Sequence, residues 1–281
     1  MTGQDAKAQS AGQQGAPAFD TSVPHPARRY NYWLGGKDHF AADRESGDAI
    51  AAVFPTARVA AIENRRFLRR AVTYLTAEAG VRQFLDIGTG IPAPDNTHEV
   101  AQAIDPTVRV VYVDNDPIVM THARALLDST PEGATAYLEA DLRNGDALLR
   151  TPQVASTLDL SQPVGLLLVA VLHFLEDKDE PHRIVADLVR ALPSGSYLVA
   201  SHATADLLTA ELKATAAAMT SSGKHGSLAL RSREEFNRFF DGLEMVAPGI
   251  VSVADWRADG EPPPRPTPAE VSCYGAVARI P

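Results

Sequence analysis

The sequence predicts an α/β fold: a doubly wound, mostly parallel sheet with an antiparallel C-terminal hairpin and a helical extension in front. Three observations carry this. From residue 82 onward, short apolar runs of strand length alternate with helical segments, as parallel strands joined by crossover helices require. The run Gln83-Phe-Leu-Asp-Ile-Gly-Thr-Gly90 passes from an apolar strand into a Gly-x-Gly turn, and a second run, Val110-Val-Tyr-Val113, closes on Asp114. The chain ends in two strand-like stretches, 243–253 and 273–280, with no helical pattern between them.

The elements follow in order. Residues 1–22 are rich in Gln, Ala, Gly and Ser without periodicity and read as a disordered tail. Residues 23–80 form the helical extension, with helices expected over 44–54 and over 57–79, the second capped by Thr56 and ended by Gly80. The main domain, 81–281, begins with a strand at 82–87, a helix at 97–104 and a strand at 108–114. Asp116-Pro117 is a cap and first-turn pair for a helix to 127, and a short strand covers 135–140. The uninterrupted apolar run 164–172 predicts a strand buried on both faces. A helix at 181–191, a strand at 196–201 and an Ala-rich helix at 204–219 come next. Ser232-Arg-Glu-Glu235 is a capping box opening a further helix through 240.

Composition narrows the class. Of 281 residues, 45% are hydrophobic, enough for a substantial core without covalent staples. The net charge of −9 speaks against nucleic acid as an obligate partner. Cys273 is the single cysteine, so intramolecular disulfides and Cys-based zinc sites are excluded, and His98-Glu99 lacks the second His of a metal motif. The longest apolar run is too short to span a bilayer and no leader opens the chain, so a cytoplasmic protein without membrane or metal partners is expected.

The glycine turn carries the chemistry. Gly88 and Gly90 lack a Cβ, so a ligand can approach bare backbone there. Asp114, ending the next strand, is where a doubly wound fold holds ribose hydroxyls; Asn115 and Asp116 are alternatives, although capping accounts for Asp116. A nucleoside-bearing cofactor follows. Gly88-x-Gly90-x-x-Ala93 satisfies the loose dinucleotide fingerprint, but Asp86 would repel a pyrophosphate by about 4 kcal/mol at ~4 Å and attract an ammonium as strongly. The prolines of Ile91-Pro-Ala-Pro-Asp95 also delay the next helix, whose N-terminus a dinucleotide needs directly after the glycines. S-adenosylmethionine, with an adenosine, an ammonium and no phosphate, fits both details.

The sequence resembles the class I S-adenosylmethionine-dependent methyltransferases, and more narrowly a bacterial S-adenosyl methyltransferase family long described as a domain of unknown function. The residues carrying the likeness are Arg28, Tyr30, Tyr32, Leu34-Gly-Gly-Lys-Asp38, Phe40-Ala-Ala-Asp-Arg44, Phe84 to Gly90, Asn96-Thr-His-Glu99, Val111 to Pro117, Leu172-His-Phe174 and Gly195 to His202. Asn31 stands where the family pattern has Asp and His39 where it has Asn, which speaks against catalytic roles for both. The resemblance implies a Rossmann-like sheet of seven strands. It also implies that Asp141 and Leu142 meet the adenine, unless Asp141 is a solvated loop acid, and that His173 closes the fourth strand beside the acceptor, where it orients or deprotonates a nucleophile or is only hydrogen-bonded. His202 is a weaker candidate of the same kind.

The segment around Gly35-Gly36 can bend over the cofactor as a lid, with Arg28 pairing to the methionine carboxylate and Tyr30 and Tyr32 stacking on adenine or acceptor. Alternatively, Tyr30, Trp33 and Phe40 simply dock a helix on the sheet. The expected function is methyl transfer to a small-molecule acceptor. A non-catalytic S-adenosylmethionine-binding regulator and a nucleotide-dependent oxidoreductase are the alternatives.

Overall fold

The computed structural model describes residues 20–126, 128–221 and 225–281. The tail expected over 1–22 lies outside the described residues, apart from a turn in which Asp20 accepts from the Ser22 amide and hydroxyl. Three helices come first: α1 (Pro26–Trp33), α2 (Ala41–Val53) and α3 (Ala57–Ala77). A proline at the first position of α1 forfeits no helical bond, because that amide has no partner in any helix. α2 starts three residues before the expected position because the Asp43 carboxylate accepts from the backbone amides of Phe40 and His25, fixing the entry of both helices. α3 buries Phe67, Leu68, Ala71, Val72 and Leu75 at helical spacing. Its expected cap, Thr56, makes no side-chain capping bond.

The sheet follows. β1 (Gln83–Ile87), α4 (Thr97–Gln102), β2 (Arg109–Asp114), α5 (Pro117–Leu126) and β3 (Ala134–Glu139) form one wing. After the 3-10 segment Leu142–Arg150 and α6 (Pro152–Thr157), the other wing contains β4 (Gly165–Leu168), α7 (Pro181–Arg190), β5 (Tyr197–Ala203), α8 (Ala210–Ser221) and α9 (Arg233–Asn237). β6 (Glu244–Met245), β7 (Val251–Ser252), α10 (Pro268–Val271) and β8 (Cys273–Arg279) complete the chain. The strand order is β3-β2-β1-β4-β5-β8-β6, with β7 also paired to β8. The first five strands are parallel and β8 runs antiparallel to all its neighbours. This is the doubly wound, mostly parallel sheet with a closing antiparallel hairpin; β6 and β7 are two pieces of one interrupted strand.

Alternation along the strands divides the core. Leu85, Ile87, Val111 and Val113 pack on one face, and Phe84, Val110 and Tyr112 on the other. Each fully buried Leu, Ile or Phe there contributes roughly 1.5–3 kcal/mol.

Other elements also differ from expectation, among them α10, which lies where the sequence shows no helical pattern. The strand expected over 243–253 is broken at Pro248, which has no amide to donate, and Gly249, at φ +82°. The helix expected from 204 begins at Ala210, because the Thr204 hydroxyl accepts from the Asp206 amide and holds a turn instead. The apolar run expected as a strand to 172 leaves the sheet after Leu168, turns at Ala170 with φ +57°, and forms a 3-10 turn at Leu172–Phe174. Residues 142–157, where the sequence predicts no helix, form the 3-10 segment and α6. Among the described residues, no helix is long and apolar enough to cross a membrane.

Candidate functional site

β1 and β4 are neighbours, yet the chain leaves them toward opposite edges of the sheet. Such a switch point leaves a crevice at the carboxyl ends of the strands. A cavity of about 170 Å³ lies there, walled by the 86–90 turn, the ends of β2, β3 and β4, and Pro26, Ala27 and Tyr30 of α1.

The glycines differ in what they permit. At Gly88 (φ +75°) a Cβ would lie 2.5 Å from the Val171 Cγ2, whereas at Gly90 (φ +70°) no protein atom lies within 4 Å of that position. Gly88 is thus required by packing. The open side of Gly90 is available to a ligand.

Two acids fix the floor. Asp86 is 5% exposed, accepts from the Thr97 hydroxyl at 2.6 Å, and is pushed up to about 6 by burial. Thr97 opens α4, so the stretch 91–96 separates helix from glycines, as the prolines predict. Asp114 accepts from the Gly90 amide at 2.9 Å and from the Asp116 amide at 2.9 Å, and burial raises its carboxyl too. Two buried acids disfavour phosphate and suit a ligand that brings an ammonium and hydroxyl donors.

Asn115, Asp141 and Leu142 form the far wall. The Asn115 amide donates to Asp141 at 3.1 Å, and Asp141 also accepts from the Arg143 backbone amide at 2.8 Å while capping the 142–150 segment. Leu142 is buried and presents an apolar surface beside them.

The N-terminal residues separate. Tyr30 lies on the wall, its hydroxyl tied to the Ala61 carbonyl at 2.9 Å and accepting from Asn64 at 3.2 Å, with burial pushing it up to about 12. Arg28 and Tyr32 do not line the cavity, contrary to expectation. Arg28 is buried between Asp116 (3.4 Å) and Asp43 (3.7 Å), a pull that turns it away from the crevice. The Tyr32 hydroxyl donates to Asp48 of α2 at 2.8 Å.

Arg65 was not singled out by the sequence. It sits on the cavity wall and donates to the Pro94 and Asp95 carbonyls, each at 3.0 Å. Five arginines stud α3 (58, 65, 66, 69 and 70), and periodicity alone does not separate one that faces a crevice from four that do not.

A second cavity, about 220 Å³ and largely apolar, adjoins the first and shares Pro26, Tyr30, Asn64, Ala170 and Phe174 with it. His173 lines this second cavity and not the first. Its Nδ1 accepts from the Ala203 amide at 3.4 Å, and burial holds its pKa well below the ordinary value. The neutral ring with Nδ1 accepting carries its proton on Nε2. His202 is fully buried behind it, accepts from Arg231 at 3.1 Å, and lines neither cavity.

Comparisons with known proteins bear on the family and the fold. A family model described as S-adenosyl methyltransferase matches residues 12–281. A DUF574 family protein from Streptomyces avermitilis is 46% identical, with TM-score 0.86, over 93% of this chain and 99% of its own. A candidate methyltransferase from Thermobifida fusca is 40% identical, with TM-score 0.84, over 93% of this chain and 96% of its own. No match is found among curated proteins.

Proposed function

We propose, from the premise that this chain belongs to the S-adenosyl methyltransferase family, that it moves the methyl group of S-adenosylmethionine to a small-molecule acceptor held in the apolar cavity. The observation that carries this is the shared wall: the two cavities meet at Tyr30, Ala170 and Phe174, so ligands in both would face each other.

S-adenosylmethionine supplies an electrophilic methyl group on a sulfonium. The residues supply position. In this reading Asp86 takes the ammonium, Asp114 the ribose hydroxyls, Arg65 the carboxylate, and Asp141 with Leu142 the adenine; α1 closes the cavity as a lid. Holding two reactants in line at ~3–3.5 Å is worth ~7–11 kcal/mol of barrier, so positioning alone can account for much of the rate. With Nδ1 occupied by the Ala203 amide, His173 presents an N–H that orients the lone pair of an acceptor arriving deprotonated, so the sulfonium C–S bond breaks as the acceptor–methyl bond forms and S-adenosylhomocysteine leaves. The dinucleotide oxidoreductase reading is disfavoured by the buried acids and by the displaced start of α4.

The test is transfer of labelled methyl from S-adenosylmethionine into a cell extract, fractionated by mass. Label is expected in the low-mass fraction and absent with Asp86→Ala protein. Label confined to protein or nucleic acid would overturn the small-molecule assignment.

A further inference from the structure

The second cavity is largely apolar, with Asn64, His173 and Thr204 among its polar lining residues, and Arg29 is the one permanently charged side chain on its wall among the described residues. Arg29 is 5% exposed, and it forms no ion pair with any carboxylate among the described residues. Its hydrogen bonds all leave from one nitrogen, Nη1, to the Ser46 hydroxyl at 3.1 Å and the His225 carbonyl at 3.0 Å. Nε is buried with no partner. The acid that acts on it electrostatically, Asp43, is already committed to Arg28 and to the amides of His25 and Phe40. Burial pulls the guanidinium down to about 10, which leaves it charged at neutral pH.

A buried guanidinium without a counter-ion is expensive for a fold to keep, and planar paired donors suit a carboxylate better than any other group. The adjoining positions Val53, Phe54 and Leu208 offer apolar surface to whatever enters, and the Arg29 guanidinium lies 6.0 Å from the Trp33 ring centroid, a contact that supplies no counter-charge. Size adds a limit. An apolar cavity of roughly 150 Å³ holds one benzene ring, so about 220 Å³ takes a ring or short chain with substituents.

We infer that the acceptor is a small, largely apolar molecule carrying a carboxylate or equivalent anion, which Arg29 pairs with while the apolar walls hold the rest. This rests on the proposed reading of the second cavity as the acceptor site. The anion is a handle: it fixes which end of the molecule points away from Arg29 toward Tyr30 and Phe174, where the cavities meet. Neutral molecules of the same shape would fill the space without satisfying the guanidinium.

The experiment compares 2-naphthoate and benzoate with their neutral primary amides by calorimetry on the full chain, with and without saturating S-adenosylhomocysteine. The acids are expected to bind at least about tenfold tighter than the amides, the margin a charge-assisted pair supplies. Arg29→Gln should abolish that preference and Arg29→Lys should keep part of it, with S-adenosylhomocysteine affinity unchanged in both. The comparison in the unsubstituted protein stands even if a variant fails to fold. Equal affinity for acid and amide, or no binding of either acid, overturns the inference while leaving the cofactor assignment intact. Acid preference without any S-adenosylhomocysteine binding would support Arg29 as an anion site and count against the cofactor reading alone.

Discussion

The Gly90 amide donates to one carboxylate oxygen of Asp114 at 2.9 Å, so the glycine turn after β1 and the acid ending β2 are fastened together as one unit. The other Asp114 oxygen accepts from the Asp116 amide at 2.9 Å. Asp114→Asn would turn one acceptor into a donor facing a donor. We expect about 1–3 kcal/mol of lost stability by urea unfolding, the usual penalty for a buried group left unsatisfied. S-adenosylhomocysteine should bind at least about tenfold more weakly, since the ribose contact and the turn fail together. Unchanged affinity would remove Asp114 from the ribose site.

The two glycines predict opposite signatures. In Gly88→Ala the new Cβ meets the Val171 side chain at 2.5 Å, a stiff β-branched neighbour. Stability should fall by roughly 2–5 kcal/mol, overpacking of a filled core added to the left-handed backbone penalty at φ +75°, and Val171→Ala in the same chain should recover the overpacking part. In Gly90→Ala nothing is struck, and only the left-handed backbone, at roughly 1–2 kcal/mol, opposes the change. Its methyl group enters the cavity, so ligand affinity should drop far more than stability. Paired thermal melts and calorimetry decide whether the two glycines differ in this way.

What the sequence could and could not say follows from the range of each interaction. The strand–turn–acid pattern of Phe84 to Gly90 and Asp114 is local, and the turn and the Asp114 carboxylate line the cavity at the switch point. The capping pairs Asn96–Glu99 and Ser232–Glu235 are also local and form as read. The place of Arg28 outside the cavity lining has no local signal, because its partners, Asp43 and Asp116, lie 15 and 88 residues away in sequence. Arg65 and Arg29 carry no local signal, because an arginine on a helix reads as solvated until tertiary packing shows which face is covered. The break between β6 and β7 was foreshadowed by Pro248-Gly249, within a run otherwise apolar enough to read as one strand.

The contrast between Arg65 and Arg28 is itself testable. Arg65→Met should weaken S-adenosylhomocysteine by about tenfold or more, one charge-assisted pair, while leaving adenosine, which has no carboxylate, unaffected. Arg28→Met should leave the ratio of the two ligands unchanged. It should instead destabilise the chain by roughly 3–5 kcal/mol, because Asp43 and Asp116 lose a buried counter-charge. If Arg28→Met alters the ligand ratio, α1 rearranges on binding and brings that side chain to the cofactor.

Asp86 sets the pH dependence of binding. Burial raises it from 3.8 to about 6, so its protonated form favours the folded, ligand-free chain by about 3 kcal/mol at most; that contribution is complete below pH ~4 and lost as pH rises through about 6. A ligand ammonium needs the ionised carboxylate. S-adenosylhomocysteine affinity should therefore be flat above pH ~6 and fall by about tenfold for each pH unit below it. Calorimetry at pH ~5 and ~7 reads this directly, and Asp86→Asn should flatten the profile. Equal affinity at both values would place the ammonium elsewhere.

His202 works in the opposite sense on stability. Its Nε2 accepts from Arg231 at 3.1 Å and its Nδ1–H donates to the Ala203 carbonyl at 2.7 Å, so the neutral ring satisfies both neighbours and a second proton would face Arg231. Arg231 also donates to the Leu175 carbonyl at 3.0 Å and to Asp177 at 2.8 Å, so the pair anchors the turn that carries His173. Burial lowers His202 from 6.5 to about 4. Its contribution is present in full above pH ~6.5 and is lost as pH falls toward about 4, amounting to about 3 kcal/mol. Other groups titrate in the same window, Asp86 with the reverse sign, so the informative quantity is the difference between the unsubstituted chain and His202→Asn. That variant should start less stable near pH 7, for want of the Arg231 acceptor, and then lose up to about 3 kcal/mol less on acidification to pH ~4.5. Urea unfolding at both pH values measures the gap. Parallel acid limbs would show that His202 is not the group whose protonation releases the His173 turn.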